Sequence, residues 1–272
     1  MTQVADNHGR SALILAIANQ KGGVGKTTTA INLGTAIAEA GLRCLVIDLD
    51  PQGNASTGLG SYAADREATS YHALAGDGDL AASVSETPVD NLDLVPASVD
   101  LSGIDVELID DPHRARRLRM LIEARPGVRA GYDYILIDCP PSLNLLTVNA
   151  MVAADAVIVP MQCEFFALEG LSQLLSTVRR VQGSLNPRLR IHGIVLTMFD
   201  QRNRLSSQVA NDVRENLGAV VYHTVIPRNV RLSEAPSHAL PALIYDPGCA
   251  GSQAYRALAA EMLGRDGRSA AA

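Results

Sequence analysis

The chain has no tryptophan, and aromatic residues make up only 4% of its 272 positions. A core without large rings must be filled by Val, Ile, Leu and Ala, the residues of buried parallel strands. Cysteine is also scarce. Cys44, Cys139, Cys163 and Cys249 show no C-x-x-C spacing and no histidine at zinc-finger distance. That pattern argues against a zinc or iron–sulfur framework. Cys44 and Cys139 fall in or beside apolar runs and read as buried thiols in a reducing cytoplasm. Positive charge is short as well: 23 Lys and Arg stand against 29 Asp and Glu, a net charge of −6. A basic coat for nucleic acid is therefore excluded, and only a local basic patch remains open. No apolar run approaches the roughly 18 residues that would suggest a membrane span. The opening residues MTQVADNHGRSAL lack the basic start and apolar stretch of a secretory signal.

What is present is a packed globular composition, with 47% hydrophobic and 19% charged residues. Short apolar runs recur at 13–18, 43–48, 92–95, 133–138, 156–160 and 191–198, with helical patterns between them. Strands alternating with helices predict βαβ units. Near-continuous apolarity within the runs predicts strands covered on both faces. Helices are expected over 27–40, closed by Gly41, and over 167–182, with Gly183 at the C-cap. Others are expected near 105–124, 144–153, 205–217 and 251–263. The fold class is thus α/β: a single doubly wound, mainly parallel sheet with helices on both faces. One domain should span 12–264, between a flexible lead-in over 1–11 and a flexible tail over 265–272.

After the first strand comes Asn19-Gln20-Lys21-Gly22-Gly23-Val24-Gly25-Lys26-Thr27-Thr28, followed by a helix. Strand, glycine loop and helix together form the context of a phosphate-binding loop. Glycines let backbone N–H groups converge on phosphate oxygens, because no Cβ blocks the approach and positive φ is accessible. The helix start adds partial positive charge. Lys26 would reach the β- and γ-phosphates, and the Thr27 hydroxyl would ligate Mg²⁺. The loop departs from G-x-x-x-x-G-K-[ST] in that Gln20 stands where the first glycine belongs and a second lysine, Lys21, follows it. Lys21 is too early to do what Lys26 does, so it has either a surface role or a partner to reach.

The stretch Lys21-Gly22-Gly23-Val24-Gly25-Lys26-Thr27-Thr28 resembles the deviant Walker A box of the ParA/MinD family of P-loop ATPases. Asp48-Leu49-Asp50-Pro51-Gln52-Gly53-Asn54 is similar to that family's second motif. Ile135-Leu136-Ile137-Asp138-Cys139-Pro140-Pro141-Ser142 is similar to its Walker B. The segment from Ile226 to Pro236 resembles one typical of the Soj-type chromosomal branch.

Hydrolysis requires the γ-phosphate neutralised, Mg²⁺ held, and a water placed in line with the leaving oxygen. Asp138, at the end of a buried strand, stands where it can orient Mg²⁺ directly or through water. Asp48 and Asp50 end the second strand, and one could serve the metal shell and the other the water. The resemblance implies that Asp50 positions the water and Asp48 supports Mg²⁺. It also implies adenine near Ile226-Pro227-Arg228-Asn229, read by the Asn229 side chain or the Pro227 carbonyl. The cofactors implied are ATP and Mg²⁺.

Lys21, by the same resemblance, contacts nucleotide across a homodimer formed with ATP. The Soj-type branch implies non-specific DNA binding, through Arg202 and Arg231 here, and a ParB-type centromere-binding partner that stimulates release. The location implied is cytoplasmic and nucleoid-associated, with no membrane partner. The alternative is a MinD-like membrane positioner, which would need an amphipathic C-terminal helix with a basic face. Residues 251–263 carry only Arg256 as a cation and read as core packing.

Overall fold

Each apolar run becomes a strand whose alternate side chains enter two separate cores. A computed structural model describes residues 11–268 except 77 and 166. The strands are β1 (Leu13–Ile17), β2 (Cys44–Asp48), β3 (Ser85–Glu86), β4 (Leu92–Val95), β5 (Tyr134–Asp138), β6 (Ala156–Gln162), β7 (Arg190–Phe199) and β8 (Val221–Pro227). They form one sheet in the order β3-β4-β2-β5-β1-β6-β7-β8, parallel except for the short β3. The helices in the first half are α1 (Lys26–Glu39), α2 (Asn54–Gly58), α3 (Ser70–Ala75), α4 (Ile104–Glu107), α5 (Arg117–Ala124) and α6 (Pro126–Ala130). Those in the second half are α7 (Leu145–Ala153), α8 (Ala167–Ser184), α9 (Arg204–Leu217), α10 (Val230–Glu234), α11 (Ala242–Tyr245) and α12 (Ala250–Arg265).

On one face Ile14, Ala16, Leu45 and Ile47 pack with Ile122 of α5, Leu146 of α7, Leu174 of α8 and Val209 of α9. On the other, Leu15, Ile17, Val46 and Leu136 pack with Leu33 and Ile37 of α1 and Leu258 and Met262 of α12. Each fully buried aliphatic side chain contributes about 1.5–3 kcal/mol, so two such layers are a large driving force. Gly34 lets α1 lie close on the sheet, since a Cβ there would come within 3.2 Å of Val46 Cγ2. The doubly wound sheet is as expected. β1 lies between β5 and β6. The chain leaves β1 through α1 on one face and leaves β5 through α7 on the other. The carboxyl end of β1 is therefore a topological switch point, where a crevice opens.

Several expectations are corrected. Gly183 stays inside α8, and Ser184 Oγ donates to the Arg180 carbonyl at 2.9 Å before the helix stops. The helix expected near 105–124 is broken at Asp111-Pro112, where Asp111 Oδ1 accepts the His113 N–H at 2.7 Å and Pro supplies no N–H. β2 stops at Asp48, so Asp50 lies in the turn beyond it and not on the strand. β8 and β3 are additions. The expected lead-in, all but Ser11, and residues 269–272 lie outside the described residues. Packing continues past 264: Asp266 bonds to Tyr134 of β5 and His192 of β7, and Arg268 to the Asp133 carbonyl just before β5.

Candidate nucleotide site

The loop that follows β1 is held open by its own backbone. Asn19 anchors it, donating through Nδ2 to the Pro160 carbonyl at 2.8 Å and accepting the Lys21 N–H at 3.0 Å. Gly23 and Gly25 have φ of 72° and 86°, in the left-handed region that a side chain would strain. Gly25 caps α1 without any side-chain bond, and no acid stands in the helix's first turn. The N-cap residue therefore offers the first N–H groups of α1 no side-chain acceptor, and they carry the positive end of the helix dipole, which suits an anion. Lys26 is buried, and its ammonium donates to the Lys21 carbonyl at 3.1 Å. Burial lowers its pKa, opposed chiefly by the charge of Asp138.

The three acids converge on this loop. Asp138 pairs in register with Ile17 on one side and Asp48 on the other. Among the described residues neither buried Asp138 carboxylate oxygen has a partner in hydrogen-bonding geometry, although the Thr27 hydroxyl stands close enough to act on its charge. Burial raises its pKa well above the usual range, as does the charge of Asp48; the Thr27 hydroxyl and Lys26 act against that. Asp48 differs. Its Oδ1 accepts the Asp50 N–H at 3.0 Å, and its Oδ2 accepts Ser56 N–H at 2.8 Å and Ser56 Oγ at 2.7 Å. Burial lifts Asp48 to about 6, with those bonds holding it down. Asp50 is nearly buried and accepts the Gln52 N–H at 3.0 Å. A buried carboxylate with both oxygens unmet, beside a hydroxyl at a helix start, fits a hard divalent cation such as Mg²⁺.

Beside Gly25 and Thr28 lies a cavity of about 280 Å³, lined also by Thr197, Met198, Pro227, Asn229, Leu232 and Tyr255. The structure thus brings Pro227 and Asn229 to the phosphate loop across some 200 residues. Asn229 Oδ1 caps α10 by accepting the Arg231 N–H at 2.8 Å. Met198 holds a left-handed φ of 49° at the cavity wall, local strain of the kind stored at functional sites. Thr197 Oγ1 donates to the Val24 carbonyl at 2.8 Å, and Tyr255 of α12 reaches Thr29 at 3.1 Å.

The Lys21 ammonium is bonded outside its own loop. It pairs with Glu164, just past the end of β6. Sequence reasoning missed Glu164, Thr197 and Tyr255 because each reaches the loop only through the fold, and it gave Asn19 no role because its anchor on the Pro160 carbonyl is a tertiary contact. Arg202 and Arg231 lie on the surface, but both are paired: Arg202 forks onto Asp200 at 3.0 Å, and Arg231 holds Glu234 at 2.8 Å and Asp246 at 3.3 Å.

Phosphate seated at the start of α1, with a waiting carboxylate on the adjacent strand, is how P-loop nucleoside triphosphatases are built. Residues 12–191 match the family described as AAA domain. The chain is 61% identical over 255 residues to "Chromosome partitioning protein ParA" of Caulobacter vibrioides, covering 93% of this chain and 94% of that protein. It is 53% identical over 249 residues to "Sporulation initiation inhibitor protein Soj" of Bacillus subtilis, covering 92% and 97%. Among solved structures, cobyrinic acid a,c-diamide synthase from Mycobacterium smegmatis with bound ADP and magnesium superposes with a TM-score of 0.80. That pair shares 35% identity and covers 95% of this chain and 98% of the other. The chain belongs to the ParA/Soj family of chromosome-partitioning ATPases.

Proposed function

We propose that the protein is a Mg²⁺-dependent ATPase that works as a dimeric timer. ATP joins two copies, the joined pair holds DNA without sequence preference, and hydrolysis, stimulated by a ParB-type partner, releases it. The observation that carries this reading is Lys21. Its carbonyl serves its own Lys26, while its ammonium lies outside its own loop on Glu164. A lysine with no work in its own site is available to the nucleotide of a second copy. ATP binding and dimerisation then become one linked equilibrium.

The N–H groups of Gly22, Gly23, Val24, Gly25, Lys26, Thr27 and Thr28 bind the phosphates, and Lys26 neutralises the β- and γ-oxygens. Thr27 and Asp138 are the groups that would hold Mg²⁺, with Asp48 in support. Mg²⁺, when bound, offsets charge on the transferring phosphoryl group. Asp48 shapes the following turn through Asp50 N–H and Ser56. Asp50 orients the attacking water and holds its proton on a carboxylate oxygen. The adenine occupies the 280 Å³ cavity, read by the Pro227 carbonyl or the Asn229 amide group.

DNA binding draws on released counterions and needs several cations on one face. Arg202 and Arg231 are the proposed contacts. Because each already has an acidic partner, one copy binds weakly and a dimer doubles the set. Among the described residues no helix is long and apolar enough to cross a membrane. Tyr255, Leu258, Ala259 and Met262 of α12 are buried in the core, which favours DNA over a membrane surface as the cargo. The location proposed is the cytoplasm, on the nucleoid. A DNA mobility shift with ATP, ADP and no nucleotide tests this: a shift is expected with ATP alone. Vesicle pelleting with ATP, and no DNA shift, would overturn it.

A further inference from the structure

The turn that carries Asp50 is clamped by a residue that none of the motifs contains. Beyond β2 the chain passes Gly53, in the left-handed region at φ 62°, forms α2 and returns at Ser61. The Asp50 carbonyl accepts the Gly53 N–H at 2.8 Å. Arg66 lies over this turn. Its Nε and Nη2 donate to the Ser61 carbonyl at 3.2 and 2.7 Å. Nη2 also donates to the Thr57 hydroxyl at 2.9 Å and the Gly53 carbonyl at 3.3 Å, and Nη1 to the Ala97 carbonyl at 2.9 Å. A Cβ on Gly53 would run into this guanidinium. Arg66 forms no ion pair among the described residues, so the whole fork serves neutral acceptors of one turn and of the segment after β4. Ser56 ties the same two segments from the other side, donating to Asp48 and accepting the Ala97 N–H at 2.9 Å.

We propose that Arg66 is a positioning residue for hydrolysis. By fixing Gly53, Thr57 and Ser61 against Ala97, it sets the Asp50–Gln52 turn and so the direction of the Asp50 carboxylate. The proposal rests on the reading of Asp50 as the group that places the attacking water. None of Arg66's hydrogen bonds reaches residues 19–28, so phosphate binding does not depend on it. A planar fork can hold three carbonyls at once, which the single ammonium of lysine cannot. Displacing a reacting group by about 1 Å can cost on the order of 100-fold in rate.

The test uses the full chain with Arg66→Ala, Arg66→Lys and, as control, Asp50→Ala, measuring ATP turnover, nucleotide affinity, ATP-dependent dimer by sizing chromatography, and thermal midpoint. For Arg66→Ala the expected result is kcat lower by about 10-fold or more, with KM within about twofold and the ATP dimer retained. Arg66→Lys should recover little of the rate. An unchanged kcat, or a kcat that falls only together with nucleotide affinity and midpoint, overturns the proposal. If Arg66→Ala is insoluble, Thr57→Ala removes one acceptor and should lower kcat a few-fold at constant KM; unchanged kcat there also overturns it. Turnover that survives Asp50→Ala refutes instead the reading of Asp50 on which the proposal stands.

Discussion

The two ends of the sheet bury polar groups on opposite terms. At the amino ends, His192 at the start of β7 accepts or donates at both ring nitrogens, to Tyr222 Oη at 2.6 Å and Asp266 Oδ1 at 2.9 Å. Tyr134 Oη donates to Asp266 Oδ2 at 2.8 Å, and the Arg265 and Arg268 guanidinium groups lie over the Tyr222 and Tyr134 rings. Burial pushes the Asp266 pKa up, but the His192 bond and charge, then Tyr134, bring it below the ordinary value. At the carboxyl ends, Asp138 has neither oxygen met, and Lys26 is buried with one carbonyl partner. An unmet buried polar group costs about 1–3 kcal/mol. One end is finished by the chain itself and stabilises the fold. The other leaves buried polar capacity unmet among the described residues, which under the proposed function bound nucleotide and Mg²⁺ would meet.

Five substitutions would break or sharpen this contrast. Lys26→Ala acts on binding itself: ATP affinity falls on the order of 100-fold in a fluorescent-nucleotide titration, with the thermal midpoint of the free protein little changed. Asp50→Ala should lower turnover by about 10²- to 10⁴-fold yet leave an ATP dimer on sizing chromatography. A monomeric Asp50→Ala with ATP bound would contradict the timer. Next comes a matched pair across the sheet. His192→Ala leaves Tyr222 and Asp266 short of a partner and should cost about 3 kcal/mol, seen as a lower midpoint at unchanged ATP affinity. Asp138→Asn should do the reverse, raising the nucleotide-free midpoint by a few degrees while weakening Mg²⁺-dependent ATP binding. If both lower the midpoint equally, the two ends do not differ as described. The smallest effect is expected from Glu164→Gln. Freeing Lys21 from a half-buried, solvent-reached partner is worth at most about 1 kcal/mol, so the ATP concentration for half-dimerisation should fall by no more than about fivefold.

Much of the fold was legible. β1, β2, β4, β5, β6 and β7 each announce themselves as mostly apolar runs, because strands covered on both faces need little polar alternation. β8 was not legible: in Val221–Pro227 only Val221, Tyr222 and Ile226 are buried, and His223 is exposed. The broken stretch at 105–124 failed because periodicity was read through Asp111-Pro112. Within the site, Gly25 and Lys26 were visible as a local pattern, since backbone approach and a helix start are set by neighbouring residues.

The sequence by itself determined the class of sheet, the phosphate loop and the strand-end acids, because each is written in fewer than about ten consecutive residues with a direct physical meaning. Only the tertiary structure decided the rest. It left Asp138 without a partner while giving Asp48 three. It set Arg66 over the Asp50 turn, paired Lys21 with Glu164 and carried Tyr255 to the cavity beside Gly25. Those pairings join residues up to 226 positions apart, and their partners are fixed by how helices pack on a twisted sheet, which no local spacing records.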